Sequence, residues 1–220
     1  MSEVCIHITD IMRSSIPHRI ARKLASRPAS WVWTSDDFAR LGPRDAVDKA
    51  LQRLARTGKL RRIERGLYDR PQTNPLTQKP TSTDYREVLD ALARRDRLRM
   101  LVDGLTAAND LGLTDAVPAR VVVHTDARRR SIRLDNLVID FKPTAPSRLY
   151  WAGHPAMRVV QALHWTKDML ASDRDRIKAR VEKILADPQN GPAIKADLVR
   201  GFGTLPTWMQ DFLRPLISQQ

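Results

Sequence analysis

The chain has 220 residues, room for one large domain or two small ones, and a core of that size needs no covalent staple. It carries 38 Lys and Arg against 25 Asp and Glu, a net charge of +13, with a pI near 10.6. That balance favours an anionic partner: nucleic acid, a membrane surface or an acidic protein. The single cysteine, Cys5, excludes an internal disulfide framework and a thiolate metal cluster. No apolar run is long enough to span a bilayer, and Met1–Ser15 lacks the apolar stretch of a signal peptide, so a cytoplasmic globular protein is expected.

The charge is uneven. Residues 1–70 hold 15 Lys and Arg against 8 Asp and Glu, whereas 71–150 hold 13 against 10 and 151–220 hold 10 against 7. An anion-binding surface is therefore expected in the first third. The stretch from Pro71 to Thr83 contains Pro71, Pro75 and Pro80 among small polar residues, cannot continue a helix and has little to bury. It reads as a linker, which divides the chain into a domain over 1–70, a linker over 71–83 and a domain over 84–220.

Ile16, Ile20 and Leu24 recur at helical spacing with basic residues between them, Pro17 suits a first turn and Pro28 ends the segment. Trp31-Val32-Trp33 is a short β-prone run. Thr34 or Ser35 then offers an N-cap, with Asp36 and Asp37 in the first turn of a short apolar helix bearing Phe38 and Leu41, broken by Gly42. A third helix is expected from Pro43 to about Thr57, with Gly58 as its C-cap. At about 100° per residue, Val47, Ala50, Leu51 and Leu54 share one side of it. Asp45, Lys49, Gln52 and Arg56 lie opposite, flanked by Arg44, Asp48 and Arg53. Lys59–Arg70 reads as two short strands around Gly66, and the imperfect alternation of Leu60 and Ile63 predicts a bulge or a late strand start.

Helix, short strand, short helix, tight turn, longer helix and basic hairpin is the order of a winged helix-turn-helix. A helix fits the major groove, where Arg, Lys and Gln read base edges, and wing arginines neutralise phosphates or reach the minor groove. The candidate DNA-binding set is Arg44, Asp45, Asp48, Lys49, Gln52, Arg53 and Arg56 on the helix with Arg61, Arg62 and Arg65 on the wing. The alternatives are a solvated helix face beside an ordinary hairpin, or a protein-docking module with no DNA role.

Tyr85, Val88, Leu89 and Leu92 predict a helix over 84–98, and Met100–Val102 a strand. Leu105–Gly112 reads as a short helix and Ala119–Thr125 as a strand. Ser131–Leu134 and Leu137–Phe141 form a hairpin about Asp135-Asn136, with Arg128, Arg129 and Arg130 in the preceding turn. After Pro155 the pattern is helical, with stripes Met157, Val160 and Leu163 or His164, then Ile177, Val181, Ile184 and Leu185. The whole is expected to be α+β: a winged helix-turn-helix, then an α+β domain with a small sheet and a helical tail.

Three stretches, Phe38–Leu54, Gly58–Asp69 and Gly104–Thr125, resemble the AbiEi-type antitoxin family, encoded beside nucleotidyltransferase toxins in bacterial toxin–antitoxin and abortive-infection loci. The likeness covers roughly residues 15–150. Its most specific part is the wing paired with the runs Ala107-Ala-Asn-Asp-Leu-Gly-Leu113 and Val117-Pro-Ala-Arg120. The resemblance implies a winged helix that binds inverted repeats in its own promoter as a transcriptional autorepressor, with two protomers on the DNA. It implies a C-terminal domain that counteracts the toxin, directly or otherwise. Arg44, Lys49, Gln52 and Arg53 fall on the family's recognition helix and Arg61, Arg62 and Arg65 on its wing, while Asn109 and Arg120 carry no implied catalytic role.

An enzyme is not expected, and neither is a cofactor. His7, His18, His124, His154 and His164 form no metal-ligand pair by spacing, and no phosphate loop or nucleophile elbow is present. The one nuclease-like feature is Asp140-Phe141-Lys142 at a strand end. There Asp140 with Asp126 or Asp135 could hold a divalent metal and Lys142 orient a water. That reading stands as an alternative; a short Asp-x-Lys on a strand edge arises often by chance, and an ordinary solvent-facing pair is the favoured account.

Overall fold

In a computed structural model, residues 15–218 are described; Cys5, His7 and the N-terminal stretch read as lacking a signal peptide lie outside the described residues. The fold is mixed α+β with two small sheets, and the chain divides into two compact units between Arg97 and Leu98.

In the first unit, α1 (Ile16–Ala25) buries Ile20 and Leu24, the residues its periodicity singles out. Strand β1 is only Trp33–Thr34, shorter than the aromatic run suggests. Thr34 and Asp37 form a reciprocal capping box: the Thr34 N–H donates to Asp37 Oδ2 at 2.7 Å and the Asp37 N–H to Thr34 Oγ1 at 3.2 Å. The segment they open, Ser35–Leu41, is a 3-10 helix. Helix α2 (Arg44–Arg56) buries Val47, Ala50 and Leu51. Strands β2 (Arg61–Glu64) and β3 (Leu67–Asp69) make the hairpin, Gly66 supplies the left-handed turn conformation at φ +75°, and the register shifts between Arg62 and Glu64, the expected bulge. The antiparallel sheet runs β1-β3-β2. Ile20, Leu24, Trp33, Phe38, Val47, Leu51, Leu60 and Tyr68 pack into one core beneath it.

Helix α3 (Tyr85–Asp96) completes this unit, so the helix assigned from sequence to the second domain lies with the first. Its last turn straps the unit together. Arg94 Nη2 donates to the Val32 carbonyl at 3.0 Å and Arg95 Nη1 to the Arg65 carbonyl at 3.0 Å. The proline-rich stretch before it is folded back rather than a plain spacer. Thr73 and Pro80 form an isolated antiparallel bridge, and the Asn74 side chain accepts from the Leu76 and Thr77 N–H groups.

The second unit holds a four-stranded sheet, β4-β5-β7-β6, built from β4 (Met100–Val102), β5 (Arg120–Thr125), β6 (Ile132–Leu134) and β7 (Leu137–Pro143). Strands β5 and β7 are parallel and the outer pairings antiparallel. Val121, Val123 and Thr125 alternate inward on β5. Helix α4 (Gly104–Asp110) lies against α5 (Met157–Thr166), and a Cβ on Gly104 would sit 2.7 Å from Trp165 Cβ, so glycine sets that close approach. On α5 the buried side is Val159, Val160, Ala162, Leu163 and Thr166, which leaves Met157 half-buried and His164 exposed, a rotation from the expected stripe. Helices α6 (Arg174–Leu185), α7 (Gly191–Arg200) and α8 (Thr207–Ile217) finish the unit, α6 burying Ile177, Val181 and Leu185. Among the described residues no helix is long and apolar enough to cross a membrane.

Candidate nucleic-acid interface

Because Val47, Ala50 and Leu51 point into the core, the opposite side of α2 faces outward. Arg44, Asp45, Lys49, Gln52, Arg53 and Arg56 are all exposed, and Asp48 is half-buried. Arg44, Asp48 and Gln52 recur every four residues along one row, the row that borders the hairpin. A polar groove of about 400 Å³ lies there, lined by this row, by Ser35 and Asp36 of the 3-10 helix, and by Arg62, Arg65, Gly66 and Tyr68 of the hairpin, with Arg95 closing it. Arg44, Asp48, Gln52, Arg62 and Arg65 are thus brought together, while Asp45, Lys49, Arg53 and Arg56 stay on the outer side of the helix, away from the groove.

Electrostatics in the groove are loosely held. Arg44 approaches Asp36 at 3.5 Å and Asp48 at 3.8 Å, and its side chain is 73% exposed. Exposed pairs of this kind are worth about 0–1 kcal/mol, so they position the guanidinium yet yield readily to a stronger anion. Arg62 Nε donates to the Glu64 carbonyl at 3.3 Å across the bulge, and both Arg62 and Arg65 are exposed.

Arg61, expected on the wing as a DNA contact, is engaged inside the unit. Its Nε donates to Asp69 Oδ1 at 3.0 Å and its Nη2 to Asp69 Oδ2 at 2.6 Å, a bidentate pair whose carboxylate side chain is 5% exposed. Nη1 and Nη2 also reach the Thr81 carbonyl at 3.0 Å and Thr83 Oγ1 at 2.8 Å. Cross-strand register puts Arg61 opposite Asp69 and Arg62 opposite Tyr68, and the Arg61 guanidinium ties the loop over 71–83 to the hairpin.

Sequence reasoning missed Arg95 and Asp36. Arg95 donates to Glu64 Oε1 at 3.0 Å and to Asp96, and its hydrogen bond to the Arg65 carbonyl pins the hairpin tip. The Asp96 carboxylate first, and Glu64 as well, hold the guanidinium more firmly protonated than usual, against the effect of burial. No local signal marks Arg95, which lies thirty residues from the carbonyl it caps. Asp36 was legible only as a first-turn helix residue.

In the second unit, Asp140 is paired with Arg120 and accepts from the Ser131 hydroxyl at 2.5 Å. The Ser131 hydrogen bond first, then Arg120, hold its carboxyl below the usual carboxylate range. Asp126 accepts from the Arg99 N–H at 3.2 Å, and Asn109 Nδ2 donates weakly to the Thr114 carbonyl at 3.5 Å. Among the described residues no group of three or more His, Cys, Asp or Glu is placed to hold a metal ion. Arg128 and Arg130 are exposed, while Arg129 stacks over Phe141 at 5.4 Å.

No curated protein matches the chain. The crystal structure of the RV2827C protein from Mycobacterium tuberculosis is similar at 18% identity over 82% of this chain and 79% of that one, with a TM-score of 0.40, a likeness too distant to fix fold or function. A family model described as a family of unknown function, DUF6088, matches residues 19–189, and the chain belongs to that family.

Proposed function

We propose that the first unit is a winged helix-turn-helix that binds double-stranded DNA, with α2 in the major groove and the β2–β3 hairpin as the wing. One observation carries the reading: five of the ten side chains selected from the sequence meet around one polar groove between helix and hairpin. An α-helix with its side chains is about 10–12 Å across, the width of the major groove. In this reading the exposed side of α2 enters the major groove, so that Gln52 on the hairpin side and Arg53 on the outer side both face base edges, Arg62 and Arg65 face phosphates, and the surface pairs of Arg44 exchange for a phosphate oxygen. The resemblance of 38–54, 58–69 and 104–125 to AbiEi-type antitoxins supports a further step. The DNA is the protein's own promoter, bound at inverted repeats by two protomers, and the second unit opposes a nucleotidyltransferase toxin encoded beside it. Gel shifts on the upstream DNA test the first step. Gln52→Ala should cost about 1–3 kcal/mol and relax sequence preference, whereas Arg62→Ala should weaken all duplexes alike. If both variants shift every duplex as the wild type does, the reading face is wrongly assigned.

A further inference from the structure

The second unit contains a concavity of about 720 Å³, within the range of small-molecule sites, that plays no part in the DNA reading. Its polar side carries three cations, Arg158, Arg180 and Lys183, with the His154 ring, against a single acid, Asp187, and the amide of Asn190. Asp187 is turned to a local task, its Oδ1 accepting from the Gln189 and Asn190 N–H groups at 3.0 and 2.7 Å. Much of the remaining lining is apolar: Leu111, Val159, Ile184 and Ile194.

Three of the lining side chains are held in place by hydrogen bonds. Arg158 Nε donates to Asp110 at 3.1 Å, and that carboxylate is 5% exposed. His154 Nδ1 lies 2.8 Å from Asp197 Oδ1, whose second oxygen accepts from the Ala156 N–H at 3.0 Å. Asp197 is buried, which leaves Nε2 as the remaining polar atom of the ring. Arg180 Nε donates to the Leu111 carbonyl at 2.5 Å. Neither Asp110 nor Asp197 lines the cavity. A buried acid that orients Arg158 without occupying the cavity suits a preorganised anion site, because it fixes the guanidinium before a ligand arrives, and Asp197 fixes the His154 ring in the same way.

We propose that this cavity binds an amphipathic organic anion, a phosphate or carboxylate attached to an apolar or aromatic body. The anion meets Arg158, Arg180 and Lys183, and the body lies against Leu111, Val159, Ile184 and Ile194. The test uses the full chain and the fluorescent aromatic sulfonate 8-anilinonaphthalene-1-sulfonate as the probe. Lys183→Glu reverses an exposed lining charge, and Ala193→Trp fills the cavity from an exposed position on its rim without touching the charge. Thermal melts confirm that both variants are folded. The site predicts one saturable binding event, weakened at least about tenfold by each substitution. Competition with adenosine monophosphate and with octanoate separates a phosphate source from a carboxylate one, and displacement by either supports the site. No saturable binding, wild-type binding in either folded variant, or displacement by neither competitor overturns it.

Discussion

Arg61 and Arg62 are neighbours on one strand; the structure engages Arg61 inside the unit, and the proposed function gives Arg62 a phosphate. Replacing Arg61 by Gln leaves the Asp69 carboxylate, only 3% exposed as a residue, with the Thr83 hydroxyl at 2.7 Å in place of a bidentate guanidinium. Breaking a fully buried ion pair costs about 3–5 kcal/mol. The Arg61 side chain is 28% exposed, so water screens part of that loss and the expected destabilisation of the first unit is about 2–3 kcal/mol. Urea denaturation, followed through the indole NMR signal of Trp33 in that unit's core, reads it directly. Arg62→Gln should change the same midpoint by less than about 0.5 kcal/mol. On DNA the order reverses. Arg62→Gln should reduce the salt dependence of binding by a log–log slope of about 0.9, the loss of one neutralised phosphate, and Arg61→Gln should leave the slope alone wherever the protein is folded. An unchanged urea midpoint for Arg61→Gln, or a slope loss equal to that of Arg62→Gln, would refute this division of labour.

Three further outcomes are expected. Thr34→Ala removes one half of the capping box at a residue 3% exposed and should cost about 1 kcal/mol, measured in urea as above. Gly104→Ala places a methyl 2.7 Å from Trp165 Cβ and 2.9 Å from the Gln161 carbonyl, so the second unit should lose about 1–3 kcal/mol in denaturation followed by far-UV dichroism. Burial first, then the nearby Asp90 and Asp84, push the Glu87 carboxyl above the usual range despite Arg94. The folded state then binds that proton more tightly than the unfolded state, and the associated stability is present in acid and lost as pH rises through the folded pKa. Glu87→Gln should therefore be more stable than wild type at neutral pH, with the gain fading below the carboxylate range; equal midpoints at both pH values would contradict the assigned cause.

What the sequence makes legible here is local. Val47, Ala50 and Leu51 define the inward side of α2 because a helix repeats every 3.6 residues, and that repeat also places Arg44, Asp48 and Gln52 in one row. Thr34 and Asp37 sit three apart, the spacing a capping box needs. Arg61 was illegible because its fate depends on cross-strand register: it lies opposite Asp69, whereas Arg62 lies opposite Tyr68. Charge alone cannot separate two adjacent arginines. The grouping of α3 with the first unit was hidden for a related reason. Three prolines mark a break in regular structure, but the hydrogen bonds from Arg61 to Thr81 and Thr83, and from Arg95 to Arg65, are long-range. The cationic cavity of the second unit was invisible too, since its lining is drawn from four separate stretches, at 111, 153–159, 180–187 and 190–194.

The central claim is that the groove between α2 and the hairpin recognises a DNA sequence. Competition binding at near-physiological salt, with the duplex from upstream of the protein's own reading frame against a scrambled duplex of equal length and composition, tests it most directly. The account predicts at least about a thousandfold preference for the upstream duplex, the range of specific over non-specific binding. Equal affinity for the two duplexes would contradict it.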